Sequence, residues 1–177
     1  MTGRIIAIFV APEHYAEQVA IETVQLKTGK GIVGDRYFGL RPKHPGKNIT
    51  LIESEIIVEF NRNYHQSISL SAARRNFVTE GIQLNTLVGL TFRLGKVLCR
   101  GIELCEPCKV MARNFPATAL SHPEIIRALA NKGGIRVEVL TDELVRLGDE
   151  IFSDIIAMKE CGKRNVSSAE YDASRKP

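Results

Sequence analysis

Two thiols three residues apart, Cys105-Glu-Pro-Cys108, carry the most reactive chemistry in this sequence. They fall where the apolar stretch Val97–Leu104 ends and a helical turn can begin. Unpaired N–H groups at such a turn favour the thiolate form, Lys109 adds positive charge, and Glu106 opposes it. A thiolate is a nucleophile and a soft metal ligand, which makes Cys108 a candidate catalytic group. Cys105 would be its partner in thiol–disulfide exchange. A structural zinc site needs four ligands. Cys99 and Cys161 do not form a second pair at zinc spacing, and His14, His44, His65 and His122 are scattered. A thioredoxin-like motif would follow an early strand of a βαβ unit, whereas this one comes late. Buried inert cysteine suits Cys99 better than Cys108, which lies between Pro107 and Lys109.

Two further segments could recognise an anion. Residues 31–39 (GIVGDRYFG) combine glycines with Asp35 beside Arg36. The pair reads either as a tight turn with a surface ion pair or as an anion loop, in which Arg36, with Lys27 and Lys30, faces phosphate-like oxygens. It lacks the Gly-Lys-Ser/Thr ending of a P-loop, which disfavours nucleotide hydrolysis. Residues 74–81 (RRNFVTEG) crowd Arg74, Arg75, Asn76 and Glu80 around apolar Phe77 and Val78. A solvated helix face would explain the charges but not Asn76, a poor helix former. Arg and Asn together offer planar donor arrays suited to phosphate and heterocycle edges.

The elements that must position these groups are mostly short strands. Gly3–Val10, residues 19–26, 48–52 and 135–141, Thr91–Leu94, Val97–Leu104 and residues 150–158 have strand character. Residues 27–39 and 84–89 read as loop and connector, and Gly148-Asp149 as a turn between the last two strands. Residues 53–64 carry a helical stripe of Ile56, Ile57 and Phe60. Ser71 reads as the cap of a short helical turn running into residues 74–79, and Ser121-His-Pro-Glu as a second helix start, with an end before Gly133-Gly134. The class expected is mainly β, closed or folded over, with a few peripheral helices.

The chain has 177 residues, 44% of them hydrophobic and 25% charged, which suits one globular domain. Its net charge of +4 comes half from residues 161–177, so the body is nearly neutral. That leaves no basic stripe for nucleic acid, while an anionic small-molecule ligand needs only a few local cations. No stretch approaches the roughly 20 apolar residues that span a bilayer, and Gly3–Val10 is too short for a signal. The expectation is a cytoplasmic protein with reduced thiols. Residues 1–160 are expected to form the domain, and the polar, aperiodic residues 161–177 a disordered tail.

In order and spacing these segments resemble the MOSC family, the domain at the C-terminus of molybdenum cofactor sulfurases and in small free-standing bacterial proteins. The resemblance rests on Gly34-Asp35-Arg36, the 50–55 segment TLIESE, Arg75-Asn76 with Glu80-Gly81, Leu87-Val-Gly89, Gly95-Lys-Val97, Glu106-Pro-Cys108, Gly133-Gly134 and Gly148-Asp149. It implies a β-barrel-like fold and a cysteine, here Cys108, that carries sulfur from a cysteine desulfurase or ligates the molybdenum of the molybdenum cofactor. Some members reduce N-hydroxylated compounds. It implies that Arg36 and Asn76 line a pterin-phosphate site, with Asp35 and Glu80 holding the loops; Arg75, and Lys27 from the anion-loop reading, are further phosphate candidates. Pyridoxal phosphate would belong to the desulfurase partner. Two other readings stay open: a non-catalytic module that recruits a desulfurase or reductase, and a redox protein using Cys105 and Cys108.

Overall fold

The structure is a computed structural model, and it describes residues 2–40, 43–115 and 120–153. Eleven strands are assigned among them: β1 (Gly3–Val10), β2 (Val19–Ala20), β3 (Thr23–Lys27), β4 (Gly31–Ile32), β5 (Ile49–Glu53), β6 (Phe77–Glu80), β7 (Thr91–Leu94), β8 (Val97–Leu104), β9 (Ile135–Val139), β10 (Glu143–Arg146) and β11 (Glu150–Phe152). The helices are α1 (Ser54–Tyr64), α2 (Lys109–Ala112) and α3 (His122–Ala128).

Seven strands close on themselves in the order β11-β7-β8-β9-β5-β6-β1, because β1 also pairs with β11. This mixed barrel is antiparallel except where β6 lies parallel to β5. A separate three-stranded sheet, β10-β3-β4, packs beside it. Adjacent residues on a strand face opposite ways, and two apolar clusters follow. Leu51 and Phe77 pack with Phe92, Val97 and Val137 in one. Their neighbours Ile52 and Val78 pack with Ile57, Phe60, Met111 and Ile125 of the three helices in the other. The helices therefore cover one outer flank of the barrel. Among the described residues no helix is long and apolar enough to cross a membrane.

Several sequence expectations need correction. Residues 19–26 are two strands, since the chain leaves β1 at Ala20 and joins β10 from Thr23. Within the expected loop 27–39, Gly31–Ile32 turns back onto β3. The helical turn expected around Ser71 lies earlier, over Leu70–Ala73, with Ser69 at its N-cap. Arg74 ends it in the left-handed region (φ 53°), and Phe77–Glu80 is a barrel strand. The strand β10 was not foreseen: Glu143, Leu144 and Arg146 are exposed and only Val145 is buried, so no alternation marks it. The helix at Ser121 is as expected, with the Glu124 carboxylate accepting from both Ser121 N–H (2.8 Å) and its hydroxyl (2.6 Å). Residues 154–158 of the expected last strand, and the tail 161–177, lie outside the described residues.

Candidate functional site

The Cys105–Cys108 loop leaves β8 and is fastened at its base. Cys105 N–H donates to the Gly134 carbonyl (2.7 Å), and the Cys105 carbonyl accepts from Arg75 Nη2 (2.8 Å). Arg75 is buried and also donates from Nε to the Gly133 carbonyl (2.7 Å) and from Nη1 to the Ala73 carbonyl (3.1 Å). One guanidinium thus ties together three chain segments. The glycine pair is required by space. A Cβ on Gly133 would lie 2.2 Å from the Cys105 carbonyl oxygen, and one on Gly134 (φ 86°) would lie 1.9 Å from that of Leu51. Glu106 adds a second tie by accepting from Asn131 N–H (3.0 Å).

Beyond this base, Cys108 stands in extended conformation at the N-cap of α2 and is exposed, whereas Cys105 and Cys99 are buried free thiols. Burial alone pushes the Cys99 thiol up to about 12, which makes it inert. Both Cys105 and Cys108 border a cavity of about 170 Å³. Its wall also holds Arg36, Lys47, Arg74, Arg75 and Arg136, against a single carboxylate from Glu106. Glu103 lies behind Lys47 (3.3 Å) and Arg136 (3.2 Å) and offsets part of that charge.

Arg36 is the least satisfied of these cations. Its side chain is 8% exposed, yet Nε and Nη1 are buried with no hydrogen bond to any described residue. Asp35 is 3.9 Å from Nη1, beyond hydrogen-bond reach, and the guanidinium carbon sits 4.8 Å from the Tyr37 ring centroid. Arg74 is only partly buried and donates to the Ala16 carbonyl (3.1 Å) and to Asn114 Oδ1 (3.3 Å). Burial, and next the positive charge of Arg36, hold its pKa below the ordinary arginine range. Arg75 is lowered by burial, offset in part by Cys105 and Cys108. Two mutually repelling guanidiniums beside an exposed thiol make a site that an anion would stabilise.

The structure brings Cys105, Cys108, Arg36, Arg75 and Asn76 to one cavity. Within it, two of them already have structural work. Arg75 spends its donors on carbonyls. Asn76 is 3% exposed; its Oδ1 accepts from Thr50 N–H (3.1 Å) and hydroxyl (3.0 Å), and its Nδ2 donates to the Phe9 carbonyl and to Asp35 Oδ2 (both 3.3 Å). Its amide is therefore a bracket between β1, β5 and the Asp35 loop, with no free edge for a heterocycle. Asp35 is buried and completes this bracket, accepting from Ala11 N–H (3.2 Å) and Tyr37 N–H (3.1 Å).

Lys27 and Glu80 stand elsewhere. Lys27 pairs with exposed Asp142 (2.9 Å) on the small sheet, and Glu80 pairs with Arg4 next to the pairing of β1 with β11. Neither borders the cavity, because the register of β3 and β6 directs them to other surfaces. Lys47, Asn48, Arg136 and His14, none of them an anion-binding candidate from local sequence, do border it. A signal existed for Arg136, a charge alternating with buried Ile135 and Val137 on β9.

The described backbone has the fold of several solved structures. It matches YuaD from Bacillus subtilis with a TM-score of 0.74 at 19% identity, covering 85% of this chain and 94% of that one. YiiM from Geobacillus stearothermophilus gives 0.66 at 18%, covering 85% and 74%, and YiiM from Escherichia coli 0.63 at 16%, covering 85% and 69%. No curated protein sequence matches the chain significantly. The family model of the MOSC domain matches residues 35–152, well over half of the chain and the span that holds Arg36, Arg75, Asn76 and Cys108. The chain belongs to the MOSC domain family.

Proposed function

We propose that this protein binds a phosphate-bearing pterin, the molybdenum cofactor, in the basic cavity, with Cys108 as the group that ligates the metal or carries sulfur. One observation carries the reading: the exposed Cys108 thiol shares a cavity with the buried Arg36 guanidinium, two of whose N–H-bearing nitrogens lack a partner among the described residues. Unpaired buried donors on a cation suit phosphate oxygens. Among the described residues no cluster of three or more His, Cys, Asp or Glu is set to hold a metal, and a single thiol suits a metal that arrives with its other ligands in place.

In this reading Arg36 and Arg74 hold the phosphate, Lys47 and Arg136 supply field, and Arg75 fixes the Cys loop from beneath. When bound, the cofactor would supply two-electron reduction of N-hydroxylated compounds, with the electrons drawn from a partner reductase. In sulfur carriage, the Cys108 thiolate attacks the outer sulfur of a desulfurase persulfide. A new S–S bond forms at Cys108, the old one breaks, and the desulfurase thiolate leaves, with no net oxidation.

The test is expression in a host that makes the cofactor, followed by measurement of bound molybdenum and pterin. Wild type should carry both, and Cys108→Ala and Arg36→Met much less. Equal and negligible loading of all three would overturn cofactor binding. For sulfur carriage, mass spectrometry after incubation with a cysteine desulfurase should find one added sulfur atom on Cys108. Its absence there would overturn that half.

A further inference from the structure

The charge around Cys108 points beyond a sulfur donor carried on a protein. Five cations border the cavity that the exposed thiol shares: Arg36, Lys47, Arg74, Arg75 and Arg136. Three carboxylates are set against them: Glu106 in the wall, Glu103 behind Lys47 and Arg136, and Asp35 beside Arg36. Five against three leaves an excess of two positive charges among these residues. The excess is open to a solute. Lys47 and Arg136 have side chains 34% and 30% exposed and share the single Glu103. Arg36, buried deeper in the same wall, has Nε and Nη1 without a partner among the described residues. Burial chiefly lowers the pKa of Arg75; of the charges around it, the Cys105 and Cys108 thiols oppose that and Arg136 adds to it. The reactive thiol and a solvent-reached guanidinium therefore flank one buried cation.

A thiolate and a dianion repel each other in water. Fixed cations offset that repulsion, and they stabilise charge where it collects on a leaving oxyanion. A persulfide on a protein cysteine brings a single charge and has no use for the second. A small dianion with a transferable sulfur uses the thiol and the whole excess. We infer that the cavity takes thiosulfate as a direct sulfur donor to Cys108, so that the protein is a sulfurtransferase for a free sulfane-sulfur anion. The Cys108 thiolate attacks the outer sulfur of thiosulfate. A new S–S bond forms at Cys108, the S–S bond of thiosulfate breaks, and its electron pair leaves on sulfite. The protein keeps a persulfide, with charge balanced and no net oxidation. Cyanide, as a model acceptor, then takes the outer sulfur as thiocyanate and returns the thiolate. The inference rests on the reading of Cys108 as a sulfur carrier and adds the class of donor.

The test starts with the reduced full chain and thiosulfate alone, read by mass spectrometry and a sulfite assay. Turnover is then followed as thiocyanate, with cyanide as the acceptor. Wild type should gain one sulfur atom on Cys108, release one sulfite per chain, and turn over with ping-pong kinetics. Cys108→Ser should do none of these. Arg36→Met and Arg136→Gln should each lower kcat/KM for thiosulfate about tenfold or more. Their Cys108 should still react with neutral iodoacetamide as in wild type, which separates a lost anion site from a disturbed loop. A wild-type Cys108 left unmodified by thiosulfate, yet loaded by a cysteine desulfurase, would overturn the inference and leave sulfur carriage standing. Loading by neither donor would bring down both. Thiosulfate turnover that persists in Cys108→Ser, or is unchanged in both arginine variants, would place the reaction elsewhere and also overturn it. The wild-type result decides even if a variant folds poorly.

Discussion

Arg75 Nη2 donates to the carbonyl of Cys105 at 2.8 Å, so the loop that presents Cys108 hangs from a buried guanidinium rather than from the barrel strands alone. The same side chain bonds the Gly133 and Ala73 carbonyls. Truncating it would orphan three buried acceptors at about 1–3 kcal/mol each, less what water recovers. Arg75→Ala should lose about 3 kcal/mol or more in urea denaturation. Arg75→Lys should recover only part of that, because an ammonium cannot reproduce the planar fork. A loss below about 1 kcal/mol would show that the clamp is dispensable.

Arg36 should behave in the opposite way. Its Nε and Nη1 have no hydrogen-bond partner among the described residues, and it repels Arg74. Asp35 keeps three other hydrogen-bond partners without it. Arg36→Met should fold within about 1 kcal/mol of wild type, and its affinity for inorganic phosphate should fall at least tenfold. A large drop in melting temperature with phosphate affinity intact would make Arg36 a structural residue.

The thiols should separate by reactivity. Of the three described cysteines, iodoacetamide at pH 8 should modify Cys108 first, with Cys105 slow and Cys99 protected until unfolding, since burial holds the Cys99 thiol near 12. Peptide mapping by mass spectrometry over a time course reads this directly. Labelling of Cys99 as fast as Cys108 in the folded protein would contradict the burial.

Gly134 tests the packing under the loop. Its positive φ, together with a Cβ that would meet the Leu51 carbonyl oxygen, leaves no room for a side chain. Gly134→Ala should cost about 2 kcal/mol or more. It should also raise the iodoacetamide reactivity of Cys105, as the loop base is pushed away.

Asp142 gives a pH signature. Bonds from Thr28 N–H, Lys27 and the Thr28 hydroxyl hold its carboxyl well below the usual range. A depressed folded pKa means that stability is present above the unfolded value, about 3.9, and is lost as pH falls through the folded one. Asp142→Asn should therefore be less stable than wild type at pH 7, with the gap closing progressively below about pH 4. A gap independent of pH would rule out this linkage.

What could be read from the sequence was whatever one short segment encodes. Cys108 follows Pro107 at the end of a strand, and Arg36 sits in a glycine-bounded turn, so each carried its own signal. Lys27 and Glu80 looked equivalent to Arg36 in residue type. What separates them is strand register, which pairs Lys27 with Asp142 across 115 positions. Asn76 is a poor helix former, and it lies outside any helix. Its task of joining Phe9, Asp35 and Thr50 depends on three distant segments meeting, and no local pattern encodes that. Asn48 is unmarked for the same reason: an asparagine before a strand is ordinary in sequence, and its unpaired buried oxygen is visible only in the fold.

The pairing of β1 with β11, Gly3 opposite Ile151 and Arg4 opposite Glu150, has a consequence for biosynthesis. Among the described barrel strands, β1 is synthesised before the other six and waits for β11 before the circle can close. Until about residue 152 has emerged, β1 and β7 each expose an unzipped edge, the kind of surface on which nascent chains stick to one another. Stalling or proteolysis just short of that point should therefore yield aggregates rather than a slightly shortened barrel.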